Sequence, residues 1–224
     1  RGDLSATWKH PRTEYVDALF KNWSERSSLK SPLLARKIAD GSYLRAMFGS
    51  FALFIYPLMA TAGLISSATV SFQAIPPFWL LLSIVIFIST FDSFSGLTSA
   101  VFFILPTMFS GHISNRSELL TTIGICILMM APALIASATR PLRRLITRES
   151  LWDRISDYAL TTLLTGWTIK NAVSALNTLG HTQFATTYYA SVIGIVASCA
   201  VALRMCLEDI AVHYYPLRLR INTP

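Results

Sequence analysis

The sequence predicts an all-α polytopic membrane protein, a helical bundle of about six membrane segments preceded by amphipathic interfacial helices. Hydrophobic residues make up 53% of its 224 positions and charged residues only 14%, against about 25% charged in soluble domains. Two charged side chains, Asp92 and Lys170, occur within the segments 47–70, 77–109, 119–139, 158–179 and 184–203. Nearly uncharged apolar stretches of about 18 or more residues are typical of membrane spans.

The basic residues predict the orientation of the chain. Seventeen of the 19 Lys and Arg residues lie in residues 1–46, in residues 140–154 and in the tail from residue 204 onward. Short loops rich in Lys and Arg stay on the cytoplasmic side, so we expect a protein of the cell membrane with both termini in the cytoplasm. The same segments predict contacts with anionic lipids at the inner face. Aromatic base-stacking motifs are absent, and we expect no nucleic-acid binding.

Residues 1–45 are predicted to form a cytoplasmic or interfacial domain of two amphipathic helices. Apolar residues from Val16 to Trp23 recur at i, i+3, i+4 and i+7, which places them on one helical face. Ser31 and Pro32 are typical of a second helix start, and Gly41 of its end. These helices lie either along the inner interface or as a small cap on the bundle.

The transmembrane domain, residues 46–215, begins with a span from about Met47 to Val70, with a kink expected at Pro57. The apolar block 77–109 would be about 50 Å long as one helix, too long for a bilayer at ordinary tilt. A single crossing there would also place the basic segment 140–154 outside. We therefore expect two short helices with a break near Asp92, either thin spans or a re-entrant pair.

Three further spans complete the predicted bundle. One runs from about Leu119 to Thr139 and is interrupted by Pro132, and the next runs from about Tyr158 to Leu179. The last begins near Phe184 and continues to Tyr215, where Pro216 ends it. The tail, residues 216–224, is expected to be cytoplasmic.

A candidate polar site within the membrane comprises Asp92, Ser93, Ser95, Lys170 and Asn171. A charged side chain inside a membrane costs free energy, so charged residues within spans are rare and each is a candidate functional residue. Asp92 would line a hydrated path or bind a cation, or instead cap the following helix at the inner interface. Lys170, predicted near the midplane, would contact an anionic substrate, pair with a charge such as Asp92, or extend to the outer interface.

Small residues form a predicted packing stripe in the last span. They recur every four positions, at Ala190, Gly194, Ser198 and Ala202. Such a stripe lets another helix approach closely. Packing within the chain is favoured over a homodimer face.

The sequence contains no catalytic motif. HExxH, P-loop and dinucleotide-binding patterns are absent, and the three cysteines have neither disulfide nor zinc spacing. We expect no catalytic residue, no metal site and no cofactor. The leading hypothesis is a transport or conduit-forming membrane subunit. The alternative is a non-catalytic scaffold or anchoring subunit that binds protein partners or forms a homo-oligomer; whether the chain is a piece of a longer protein stays open.

Single cysteines test the predicted topology. In a cysteine-free background, Gln73→Cys, Asn115→Cys and Thr182→Cys should react with a membrane-impermeant reagent from outside, whereas Thr147→Cys should be protected. Reaction of Thr147→Cys from outside in sealed cells would contradict the positive-inside assignment.

Overall fold

The computed structural model describes residues 22–23, 26–27, 31, 40–72, 77–110, 113, 115–139, 151–179, 188–216 and 219. These residues contain no strand. Seven helices have described bounds: α1 (Ser42–Phe48), α2 (Ile55–Phe72), α3 (Phe78–Phe91), α4 (Ser93–Phe109), α5 (Arg116–Thr139), α6 (Leu151–Leu179) and α7 (Ala190–Tyr214). The helices predicted before residue 40 lie almost wholly outside the described residues, as do residues 140–150 and most of the tail. The predicted division into domains stays a prediction.

The first long helical stretch changes geometry before it becomes α-helical. Gly49 ends α1 with a φ of 58°, a left-handed conformation that glycine adopts without strain. A 3-10 helix, Gly49–Phe54, then leads into α2. We expected a kink at Pro57, which lies in the first turn of α2. The N–H groups of a first turn have few partners within the helix, so the N–H that proline lacks costs little there. The described irregularity is the 3-10 segment, which ends at Phe54; the kink at Pro57 stays a prediction.

The break in the block 77–109 is confirmed. α3 has 14 residues and α4 has 17, with Asp92 alone between them. At 1.5 Å per residue they are about 21 and 26 Å long. Both are shorter than the roughly 30 Å hydrocarbon core of a bilayer.

The later helices differ from prediction in two places. α5 is continuous from Arg116 to Thr139, so the expected interruption at Pro132 is wrong. Pro132 is buried within α5, and packing against neighbouring helices allows a helix to tolerate an internal proline. α7 begins at Ala190 rather than near Phe184, and it ends at Tyr214, close to the predicted stop before Pro216.

Three helical stretches among the described residues are long and apolar enough to cross a membrane: Ser42–Thr69, Arg116–Thr139 and Ala190–Tyr214. α3 and α4 are apolar but shorter. α6 has the length but does not reach the same apolarity, because threonines, Lys170 and Asn171 interrupt its apolar residues. The described residues therefore form a bundle of apolar helices, and the count of six membrane segments stays a prediction.

All helices from α2 to α7 contribute to one apolar core, with Met59, Ile86, Phe103, Met129 and Ile193 among its buried side chains. α3 is central and packs against α2, α4, α5 and α7. Hydroxyl groups inside the bundle mostly bond to carbonyls of their own helix, as Thr90 Oγ1 does to Ile86 O at 2.7 Å. Such bonds satisfy buried hydroxyl groups without water.

The packing stripe in α7 contacts α6. Ser198 Oγ donates a hydrogen bond of 2.9 Å to the carbonyl oxygen of Thr162. A Cβ added to Gly194 would lie 2.8 Å from the carbonyl oxygen of Gly166, so the two backbones approach closely. Ala190 is buried in the core and Ala202 is half-buried. The stripe thus serves packing within the chain.

Two glycine-to-alanine substitutions test the α6–α7 contact. Both gain about 1 kcal/mol of helix propensity. Gly194→Ala forces its Cβ against the Gly166 carbonyl oxygen, which should cost about 1–3 kcal/mol. Gly124→Ala is the matched control, because its Cβ meets only the movable end of the Leu176 side chain. We expect a lower Tm in detergent for Gly194→Ala than for Gly124→Ala; equal values would contradict the tight contact.

Candidate functional site

A fully buried arginine joins separate helices of the described bundle. The Arg204 side chain is 0% exposed and its guanidinium makes three polar contacts. Nη2 pairs with Asp40 Oδ1 at 2.6 Å, Nη1 donates to the carbonyl oxygen of Thr90 at 2.6 Å, and Nε pairs with Glu208 Oε1 at 2.8 Å. A buried cation is tolerated only with such partners.

The three partners of Arg204 come from separate parts of the chain. Asp40 lies in the turn before α1, and Glu208 lies one helical turn beyond Arg204 in α7. Thr90 lies in the last turn of α3, where backbone carbonyls lack helical partners and carry partial negative charge. One side chain therefore joins α7 to the end of α3 and to the chain entering α1.

Asp40 and Tyr43 fix the chain around the start of α1 to the helix break. Asp40 accepts hydrogen bonds from the Ser93 hydroxyl and from Ser93 N, the latter at 3.3 Å. The Tyr43 hydroxyl donates to the carbonyl oxygen of Phe91 at 2.6 Å. The Arg204 guanidinium also lies 5.9 Å from the centre of the Tyr43 ring, within cation–π range.

Asp92 occupies the break itself. It is 2% exposed, and its carboxylate accepts a 3.2 Å hydrogen bond from Phe94 N, which confirms the capping interpretation. The Tyr56 hydroxyl also bonds to it, and the Arg45 guanidinium lies beside it. Gly41 packs so closely that an added Cβ would be 2.9 Å from Asp92 Oδ1. Charged and polar groups therefore surround this carboxylate.

Aromatic rings pack beside the helix break. Phe94 contacts the ring of Tyr56 edge-on, with 5.5 Å between the ring centres, and the ring of Trp23 at 6.5 Å. Trp23 belongs to the apolar face predicted for the first amphipathic helix. Trp23 therefore lies at the same end of the bundle as the charged groups.

The structure brings three of the five candidate polar residues together. We use the name buried charge cluster for Asp40, Arg45, Asp92, Arg204 and Glu208. Ser93 and Ser95 lie beside Asp92 in this cluster, and Ser95 Oγ donates to the carbonyl oxygen of Asp92 at 2.7 Å. Lys170 and Asn171 are exposed on α6. Lys170 makes no ion pair within the part of the chain that the structure describes, so the hypothetical Asp92–Lys170 pair is not formed there.

Lys170 packs beside the first turns of α7. Its Cβ is 3.1 Å from a Cβ built on Gly194, four residues after α7 begins at Ala190. That spacing corresponds to about 6 Å along the helix. The residue is therefore level with the first turns of α7, and its depth in a membrane stays a prediction.

A groove of about 330 Å³ opens beside Lys170 on the surface between α6 and α7. Its lining residues are Leu163, Gly166, Trp167, Lys170, Ser191, Gly194, Ile195 and Ser198. A second, apolar hollow of about 370 Å³ lies where α1 and the 3-10 helix meet α3 and α7. Both open outward.

Sequence reasoning missed most of the buried charge cluster. It counted Arg45 and Arg204 among the inner basic residues, although both are buried, and it gave Asp40 and Glu208 no role. A signal was available at Arg204, which has apolar residues on both sides and an acid one turn later. Spacing alone does not reveal that Asp40, 164 positions away, is its partner.

The cluster is suited to holding helices together. Its carboxylates already accept bonds from guanidinium, hydroxyl and backbone N–H groups, and its basic groups bridge separate elements. Among the described residues, no group of three His, Cys, Asp or Glu side chains is placed to hold a metal ion.

A pair of arginine substitutions tests how much the buried charge cluster contributes to the free energy of unfolding. Arg204→Met leaves the Asp40 carboxylate buried without the guanidinium and should cost about 3–5 kcal/mol. Arg154→Met is the control: Arg154 pairs with Asp209 at 2.7 Å, but these side chains are 41% and 27% exposed, so its loss should cost about 0–1 kcal/mol. Unfolding in detergent compares them, and equal losses would contradict a dominant buried cluster.

No family model matches the chain, and no curated protein or solved structure matches it either.

Proposed function

We propose that the chain is a multi-pass protein of the cell membrane, with both termini cytoplasmic, that acts as a non-catalytic scaffold or anchoring subunit. Its membrane location is supported by apolar side chains on the outside of the bundle, such as Phe51, Phe109 and Leu163, which are largely exposed. A lipid surrounding removes that apolar surface from water. The basic segments would then contact anionic lipids at the inner face.

The placement of the two intramembrane charges carries the proposal. Asp92 is enclosed by Arg45, Tyr56 and its own capping contact, whereas Lys170 is on the outer surface of α6. A transport path needs polar groups that a substrate can reach from water. A scaffold needs a rigid bundle with outward-facing contact groups, and this arrangement fits that requirement better.

The partner surface is best supplied by α6. It packs against α5 and α7 and leaves Leu160 and Leu164 exposed. It is also the least apolar of the long helices, and Asn171 is exposed on the same face as these two leucines. Intramembrane polar residues generally face protein or water-filled space, which favours coverage of part of this helix by a partner.

Transport is the second candidate, and the helix break favours it. Discontinuous helices that expose free backbone groups near charged side chains form binding sites in transporters. α3 and α4 meet at Asp92, within the buried charge cluster. In a transporter this region would open to water in at least one state.

Buried cysteines distinguish the two candidates. In a cysteine-free background, Ser95→Cys and Ser99→Cys place thiols at positions that are buried next to the break. A scaffold should leave both unreactive toward a membrane-impermeant maleimide in native membranes, because no water path reaches them. Labelling is measured by mass shift, with full reaction after denaturation as the reference.

The control for this experiment is Asn115→Cys, which is exposed at the start of α5 and should react fully. Reaction of Ser95→Cys or Ser99→Cys at a rate near that of Asn115→Cys would favour a hydrated conduit and overturn the scaffold proposal.

A further inference from the structure

We propose that the groove between α6 and α7 binds the phosphate headgroup of an anionic phospholipid, with Lys170 as the cationic contact. The inference concerns a specific ligand site rather than a protein partner. It rests on one part of the proposed function, the insertion of the bundle in a membrane.

Charge complementarity supports an anionic occupant. Lys170 is the one charged residue among the eight that line the groove. The sequence has no acidic residue from Tyr158 to Leu176 in α6 or from Ala190 to Leu203 in α7. Within the described chain the ammonium therefore lacks a counter-charge. In the proposed topology the start of α7 lies on the outer side, so the anion is a headgroup of the outer leaflet and the site is separate from the inner-face contacts of the basic segments.

The size of the groove favours a lipid headgroup over a protein helix. Its volume is about 330 Å³, the space of roughly ten water molecules at about 30 Å³ each. A phosphate with its glycerol fits such a space. A helix about 10 Å wide cannot enter it and would only lie across its opening.

The polarity of the groove runs in the direction of a phospholipid. Ser191 and Lys170 lie at the end nearest the start of α7, while Trp167, Leu163 and Ile195 continue along the helices away from it. Ser198, at the far end, already donates its hydroxyl hydrogen bond to the carbonyl oxygen of Thr162. Lysine can extend its ammonium to the headgroup level while its stem stays against apolar groups. A phosphate would meet Lys170 and the Ser191 hydroxyl, and one acyl chain would lie against the three apolar side chains.

Trp167 provides a direct reporter, since its side chain is 67% exposed and lines the groove. The full chain, with its other four tryptophans replaced by phenylalanine, is reconstituted in phosphatidylcholine vesicles. Brominated phosphatidylglycerol or brominated phosphatidylcholine is then added in increasing fraction, and quenching of Trp167 fluorescence is measured. We expect a preference of about fivefold for the anionic lipid.

Two substitutions of the same side chain assign that preference. Lys170→Gln should remove it, and Lys170→Arg should retain it; Lys170 is exposed, so neither change disturbs the core. A single tryptophan introduced by Ile127→Trp on the exposed side of α5 is the reference and should show no preference in any of these variants.

Each other outcome overturns the inference in a different way. Equal quenching of Trp167 by both lipids means that no headgroup is selected. Loss of the preference with excess inorganic phosphate means that free phosphate is the ligand. Quenching at position 127 but not at Trp167 means that protein covers the groove. Quenching at neither position means that the chain is not in the bilayer, and the proposed membrane function fails with it.

Discussion

The contacts of the Arg204 guanidinium hold the described bundle in its present arrangement. Three acceptors approach it from different elements: a carboxylate before α1, a backbone carbonyl at the end of α3 and a carboxylate in α7. A planar guanidinium offers five N–H donors in fixed directions, which a lysine ammonium does not. Arginine is therefore suited to this position, since two of its contacts require α3 and the turn before α1 to be in place while the third holds the side chain along α7.

The helix break at Asp92 depends on the same set of contacts. Ending α3 and starting α4 inside an apolar bundle exposes backbone carbonyls and N–H groups that need partners. Tyr43 and Arg204 donate to the carbonyls of Phe91 and Thr90. Asp40 and Asp92 accept from the N–H groups of Ser93 and Phe94. Side chains from α1, the preceding turn and α7 thus replace the helical hydrogen bonds that the break removes.

Local signals predicted the helices, the break and the cap, but not the charge cluster. Block length and charge distribution required two short helices in residues 77–109, and Asp92 at the junction has the side chain of a helix cap. The partners of Arg204 are set by tertiary packing, so a count of basic residues along the sequence treated Arg45 and Arg204 as surface charges. Pro132 was misjudged for a related reason: whether a proline breaks a helix depends on what packs around it.

Burial of these two arginines changes how the remaining charges are interpreted. Arg45 and Arg204 lie beside Asp40, Asp92 and Glu208, so they contribute little to the attraction between the protein and anionic lipid. The predicted orientation of the chain then rests on residues 140–154, on the basic residues before Asp40 and on Arg218 and Arg220 in the tail. Of the two charged residues in the apolar segments, Asp92 is enclosed within the bundle. Lys170 is the one that remains accessible to a molecule outside it, and the outer face of α6 is therefore where recognition by lipid or protein has a charge to act on.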